Sequence, residues 1–155
     1  MSGATVLFEL DDAELKELID RMGGAIEDMT PIMKPFGEYM ILETEERFQK
    51  EESPEGKAWI PLSTVTIEMK DAINDIDKIL QAQGNLLLSI VPEAMKDGIK
   101  ISTNRVYAAI HQFGGKAGRS HKVTIPARPF LGFNDSDIKE FTETVNDWII
   151  LGRRP

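Results

Sequence analysis

The chain has no cysteine, and that absence removes several chemistries at once: a disulfide framework, thiolate catalysis, iron–sulfur clusters and cysteine-ligated zinc. The lack fits a reducing compartment. Histidine is scarce too, with His111 and His121 the two present. A metal site would need both plus a carboxylate from elsewhere, and their spacing matches no zinc motif. No apolar run approaches the ~20 residues a bilayer crossing needs; the best candidate, Leu86 to Val91, is far too short. Met1 to Leu10 lacks a basic start and meets acids early, unlike a secretory signal. Positive charge is in deficit as well: 18 Lys plus Arg stand against 26 Asp plus Glu, a formal net charge of −8. Binding nucleic acid through phosphates calls for clustered bases on a basic domain, so that class becomes a minority reading.

What is present is enough for one domain. A chain of 155 residues, 41% of them hydrophobic, can bury a core and leaves little room for a second domain. We read residues 1–155 as a single unit, without internal repeat or dividing linker. The charge is unevenly placed. Residues 1–60 carry 15 acids and 6 bases, residues 61–96 carry 5 and 3, and residues 97–155 carry 6 and 9, giving −9, −2 and +3. Lys100, Arg105, Lys116, Arg119, Lys122 and Arg128 face a single acid, Asp97, between positions 97 and 134. Such a run is commonly a solvated face. It also suits a surface that meets the acidic face of a second copy, since opposite patches on one molecule allow head-to-tail, ring-closing association.

Local patterns predict the elements. Residues 4–10 alternate as a half-buried strand, with Val6, Phe8 and Leu10 on one face. Asp11 and Glu14 form a variant capping box before a helical stripe from Leu15 to Met29. Thr30-Pro31 starts a second helix, with Thr as cap and Pro at the first position. Its apolar side runs through Met33, Phe36, Met40 and Phe48, and Pro35 lies in its first turns. The acid-rich end from Glu43 to Glu52 is expected to project from the core. Ser53 to Gly56 is a turn leading into an extended Trp59–Ser63 segment that ends in a cap. A short helix is expected over 64–70, a loop over 71–77, and a helix from Leu86 to Met95 interrupted near Pro92. Ile99 and Ile101 mark a strand. Val106, Tyr107, Ile110 and Phe113 sit at helical spacing before the stop at Gly114-Gly115. The segment 114–122 is glycine-rich and basic and is the best candidate for a mobile loop. A strand over 122–125 and an extended Pro126–Pro129 follow, and Asn134 or Ser136 caps a last helix with Ile138, Phe141, Val145 and Trp148 inward. Together these predict an α+β fold: a small antiparallel or mixed sheet packed against several helices, including a long N-terminal helical region.

Catalytic signatures are missing. No nucleophile elbow, P-loop, dinucleotide fingerprint or other cofactor motif occurs. No nucleophile or orienting acid lies near His111 in sequence, so a packing or hydrogen-bonding role fits it better than general-base work. Tyr107, Phe113 and Phe130 suit a core better than base stacking. Trp59 suits either a core anchor or an interface hot spot. The residues alone describe a non-enzymatic domain, and the alternative is a nucleic-acid-associated adaptor using the basic stretch 100–128.

Three segments carry a more specific likeness. Phe48, Pro54, Gly56, Trp59, Pro61, Leu62 and Ser63 lie in the order Phe, Gly, Trp-x-Pro-Leu-Ser. Tyr107 to Gly114 reads Tyr-Ala-x-x-His-Gln-Phe-Gly. Ile125 to Gly132 reads Ile-Pro-Ala-Arg-Pro-Phe-Leu-Gly. In this order, over roughly residues 45–150, the chain resembles the phage virion morphogenesis family, the tail-completion proteins of Mu-like and related contractile-tailed phages and prophages. It departs from the family in having Gln83-Gly84-Asn85 where Thr-Gly is usual and an acidic 71–77 where a basic stretch is common. The resemblance implies no enzyme activity and no cofactor. It implies a structural role in completing the tail at its head-proximal end for joining to the head, as a homo-oligomeric ring, hexameric to match the tail tube. The implied partners are other copies of the chain, the tail tube, and neck or head-completion proteins; the implied location is the host cytoplasm during assembly and then the virion. On this likeness the structural or partner-contact residues are Trp59, Tyr107, His111, Gln112, Phe113, Arg128 and Phe130. Arg128 is placed on an extended rim to pair with a carboxylate of the last helix or an adjacent subunit. Phe130 and Leu131 anchor inward, and His111 and Gln112 hydrogen-bond the 125–131 segment.

Overall fold

A computed structural model describes residues 5–9, 28–73 and 78–151. The helix expected from Leu15 lies, through Glu27, outside the described residues. So do the side chains of 5–9 and the loop residues 74–77. The fold is α+β. A three-stranded antiparallel sheet has the order β1 (Thr5–Glu9), β3 (Gly98–Thr103), β2 (Ile90–Ala94). Across it lies the long helix α1 (Thr30–Lys50), and against α1 packs the last helix, α4 (Asp135–Ile150). The described residues also form two shorter helices, α2 (Thr64–Ala72), before β2, and α3 (Ala108–Phe113), after β3, and a hairpin of β4 (Gly115–Ala117) and β5 (Val123–Ile125).

Alternation explains the central strand, where Ile99 and Ile101 are buried against α1. Contact is close at Gly37, where any Cβ would fall 2.7 Å from Ile99 Cδ1 and 3.0 Å from Pro92 Cβ. The helix can therefore lie directly on β2 and β3. The segment 86–95, expected as a helix, is instead a turn followed by β2. Pro92 decides this physically: proline breaks a helix interior but is tolerated on an edge strand, and β2 is an edge. Helix α2 runs to Ala72, past the expected boundary at 70, with Ser63 as its cap, accepting from the Thr66 N–H at 3.2 Å. At the start of α1 the cap shifts by one residue to Met29. Thr30 is already helical, and Asp28 Oδ1 takes its N–H at 2.9 Å. Hydrogen bonding from the Thr30 side chain, and then from this N–H, holds the Asp28 carboxyl below its ordinary pKa.

The acidic end of α1 does not project. Thr44, Arg47 and Phe48 are buried, and the free carbonyls at this end are taken up: Phe48 O accepts from Gln81 Nε2 at 2.6 Å and Gln49 O from Lys78 Nζ at 3.1 Å. Glu51, in a left-handed conformation, closes the helix and binds the Ile79 N–H at 2.8 Å. Among the described residues the core holds two aromatic groups. Phe36 lies beside Tyr39, Phe133 and Phe141, while Phe48 meets Trp59 and Phe130 edge-on at 5.4 and 5.5 Å.

Candidate functional site

The three segments singled out in the sequence meet in one place. Gln112 is at the centre. From the buried face of α3 its Oε1 accepts the N–H groups of Phe130 and Leu131, both at 3.0 Å, and its Nε2 donates to Leu131 O at 2.7 Å. One side chain thereby satisfies three buried backbone groups of a proline-bounded segment that cannot pair as a strand. The Arg128 N–H donates to His111 O at 2.7 Å, adding a backbone tie between the same two segments. Expected hydrogen bonding of this segment by His111 and Gln112 is thus observed, through the main chain of His111 and the side chain of Gln112.

Arg128 is not on a rim and, among the described residues, meets no carboxylate. It is buried, and its guanidinium donates to Ile60 O at 2.8 Å and Pro61 O at 3.1 Å. The planar donor fork fits two successive carbonyls left exposed by the extended Trp59–Ser63 segment. Burial holds its pKa below the ordinary arginine value. Trp59 completes the link in the opposite direction, donating Nε1–H to Pro129 O at 2.8 Å with its ring buried against Phe48. Phe130 is fully buried and Leu131 nearly so. Gly132 closes the knot: a Cβ there would lie 2.8 Å from Pro54 Cγ.

Beside the knot stands a pair that sequence reading did not single out. Arg47 Nη2 is 2.7 Å from Asp137 Oδ2, and Arg47 Nη1 donates to Gly132 O at 2.8 Å. Asp137 also accepts from the Asn134 N–H at 2.9 Å and from Tyr39 OH at 3.2 Å, while Asn134 Oδ1 accepts the Asp137 N–H at 2.9 Å. Asn134 is therefore the cap of α4, with a full capping box. Burial, and then the Asp137 charge, raise the Tyr39 phenol above its ordinary value, so it stays a donor.

The face expected to be apolar on α3 is turned around. Ala108 and Gln112 point inward, whereas Val106, Tyr107 and Phe113 are exposed, Phe113 by 70%. Gly114 forces the reversal after α3: it has φ +73°, and a Cβ would lie 2.9 Å from Ala127 N. In the glycine-rich stretch after it, Gly115–Ala117 pairs with Val123–Ile125 as the β4–β5 hairpin. His111 stacks edge-on to Tyr107 at 6.0 Å, and its buried Nδ1 has no hydrogen-bond partner among the described residues. Burial and the nearby Arg128 cation lower its pKa. Among the described residues no cluster of three or more His, Asp or Glu is placed to hold a metal ion, and no helix is long and apolar enough to cross a membrane.

Residues 10–149 match the phage virion morphogenesis family. The chain belongs to that family. It is 33% identical over 144 residues to the Mu-like prophage FluMu G protein 2 of Haemophilus influenzae, covering 92% of this chain and 95% of that one. It is 25% identical over 139 residues to the putative capsid assembly protein G of Escherichia phage Mu, covering 88% of each. No solved structure matches it. Membership places the chain among proteins of phage particle assembly, and the family match spans all three segments of the knot.

Proposed function

We propose that this protein completes the phage tail at its head-proximal end, preparing it for joining to the head, and that it acts as a homo-oligomeric ring by binding alone. One observation carries the non-catalytic part. The polar groups that could have served chemistry at the family segments are engaged in holding backbone: Gln112 on Phe130 and Leu131, Arg128 on Ile60 and Pro61, Trp59 on Pro129. Among the described residues, no group partners His111 Nδ1 as the orienting partner of a general base would. The knot fixes the path of three chain segments, as a subunit needs if its surface is to repeat identically around a ring.

The nucleic-acid reading loses support from the same geometry. Arg128 is buried, Arg105 Nε donates to Asn85 O at 3.2 Å, and Lys100 pairs with Glu93. The basic stretch is therefore not a continuous phosphate-binding surface. A head-side role is the second reading, favoured by the name of the phage Mu relative, a putative capsid assembly protein. Deleting the gene and imaging the lysate separates the two. Complete heads beside unjoined tails with irregular ends are expected; aberrant heads with normal tails overturn the tail assignment.

A further inference from the structure

A groove of about 550 Å³ opens beside the knot, between the Ile60–Ser63 segment, α2, α3 and β5. Ile60, Leu62, Leu86, Tyr107, Val123 and Ile125 line it, and Ile60, Tyr107 and Val123 are largely exposed there. Its β5 wall belongs to the hairpin carrying Lys116, Arg119 and Lys122, all exposed. The groove thus offers an apolar floor with a positively charged flank. Its complement lies elsewhere on the same chain. Helix α1 turns outward a stripe at Pro35, Glu38, Leu42, Glu45 and Gln49, every one exposed, with Leu42 at 64%. The spacing is that of one helix face, with apolar residues seven apart and a carboxylate on each side of Leu42.

We infer that the outer face of α1 from a second copy docks in this groove, with Leu42 in the apolar floor and Glu38 and Glu45 toward the basic hairpin. An amphipathic helix seated in a groove is a recurrent recognition mode, and opposite charge selects the occupant. The helix face and the groove are different surfaces of one molecule. The contact is therefore heterologous, and repeating it generates a ring when the rotation closes. The inference rests on the ring reading above and specifies which surfaces meet.

The cysteine-free chain gives a direct test. Leu42→Cys and Ile60→Cys are both at exposed positions, so each variant should melt like the wild type. Under mild oxidation the double variant should give a ladder of covalent oligomers ending at a closed species, whereas each single variant should give no ladder. Leu42→Glu should weaken self-association at least tenfold in sedimentation. A double variant that stays uncross-linked, or a Leu42→Glu chain that associates like the wild type, while the wild type still forms oligomers, overturns this docking and leaves the ring reading standing. A wild-type chain that is monomeric both in solution and on isolated tails removes both.

Discussion

Arg47 and Asp137, 90 positions apart, form a buried ion pair at 2.7 Å in which the side chains are 4% and 0% exposed. The pair joins the far end of α1 to the first turn of α4, and Gly132 O, the Asn134 N–H and the Tyr39 hydroxyl add to its hydrogen bonding. Removing one partner leaves the other charge buried without compensation. Asp137→Asn and Arg47→Met should each cost about 3–5 kcal/mol. Urea unfolding checks this; a midpoint unchanged in either variant contradicts the burial of the pair.

Gln112 should be as sensitive without carrying charge. Gln112→Leu keeps roughly the same volume but strands two N–H groups and one carbonyl, each costing about 1–3 kcal/mol when buried and unpaired. A loss of about 2–4 kcal/mol is expected after partial relaxation. Thermal melting measures it, and a loss under 1 kcal/mol would mean that water reaches the Phe130–Leu131 backbone.

Two phenylalanines within the family segments should separate cleanly. Phe130→Ala removes a fully buried ring and should cost about 3–5 kcal/mol. Phe113→Ala, at an exposed position, should stay within about 0.5 kcal/mol of wild type. If Phe113→Ala nevertheless reduces particle yield while melting normally, the ring is a partner contact.

His111 predicts a pH dependence with a definite sign. Its folded-state pKa lies below the ordinary 6.5, so the unfolded chain binds the proton more readily. Stability from this group is complete above pH 6.5 and declines as pH falls from there toward the folded-state value. Melting between pH 8 and pH 5 should show this decline superimposed on the carboxylate titrations. In His111→Gln it should be smaller, and an equal decline in both chains assigns it elsewhere.

The sequence made the elements with strong local signals readable. Alternation marked β3, the Asn134 cap marked α4, and the extended prolines marked 126–129. Pro92 misled because proline's incompatibility with a helix says nothing about whether a sheet edge is available. The stripe Met33, Phe36, Met40 and Phe48 leaves room for Thr44 and Arg47, since both keep the same spacing. The charge of Arg47, in an acid-rich run, argued for solvent, and its partner at Asp137 is visible only once α1 and α4 pack. Arg128 was misplaced for a similar reason: an arginine between prolines suggests a carboxylate, but the nearest acceptors are the carbonyls of a segment 67 and 68 positions earlier. Val106, Tyr107 and Phe113 fit helical spacing, yet the helix is anchored by Ala108 and Gln112, and a polar anchor is invisible to a hydrophobic pattern.

The most direct measurement is to locate the protein in finished particles. Tails purified from a lysate that produces the protein with a short epitope tag can be labelled and imaged by electron microscopy. The account predicts a fixed number of copies per tail, all at the head-proximal end. Label spread along the tail, found on heads alone, or absent from finished tails contradicts it.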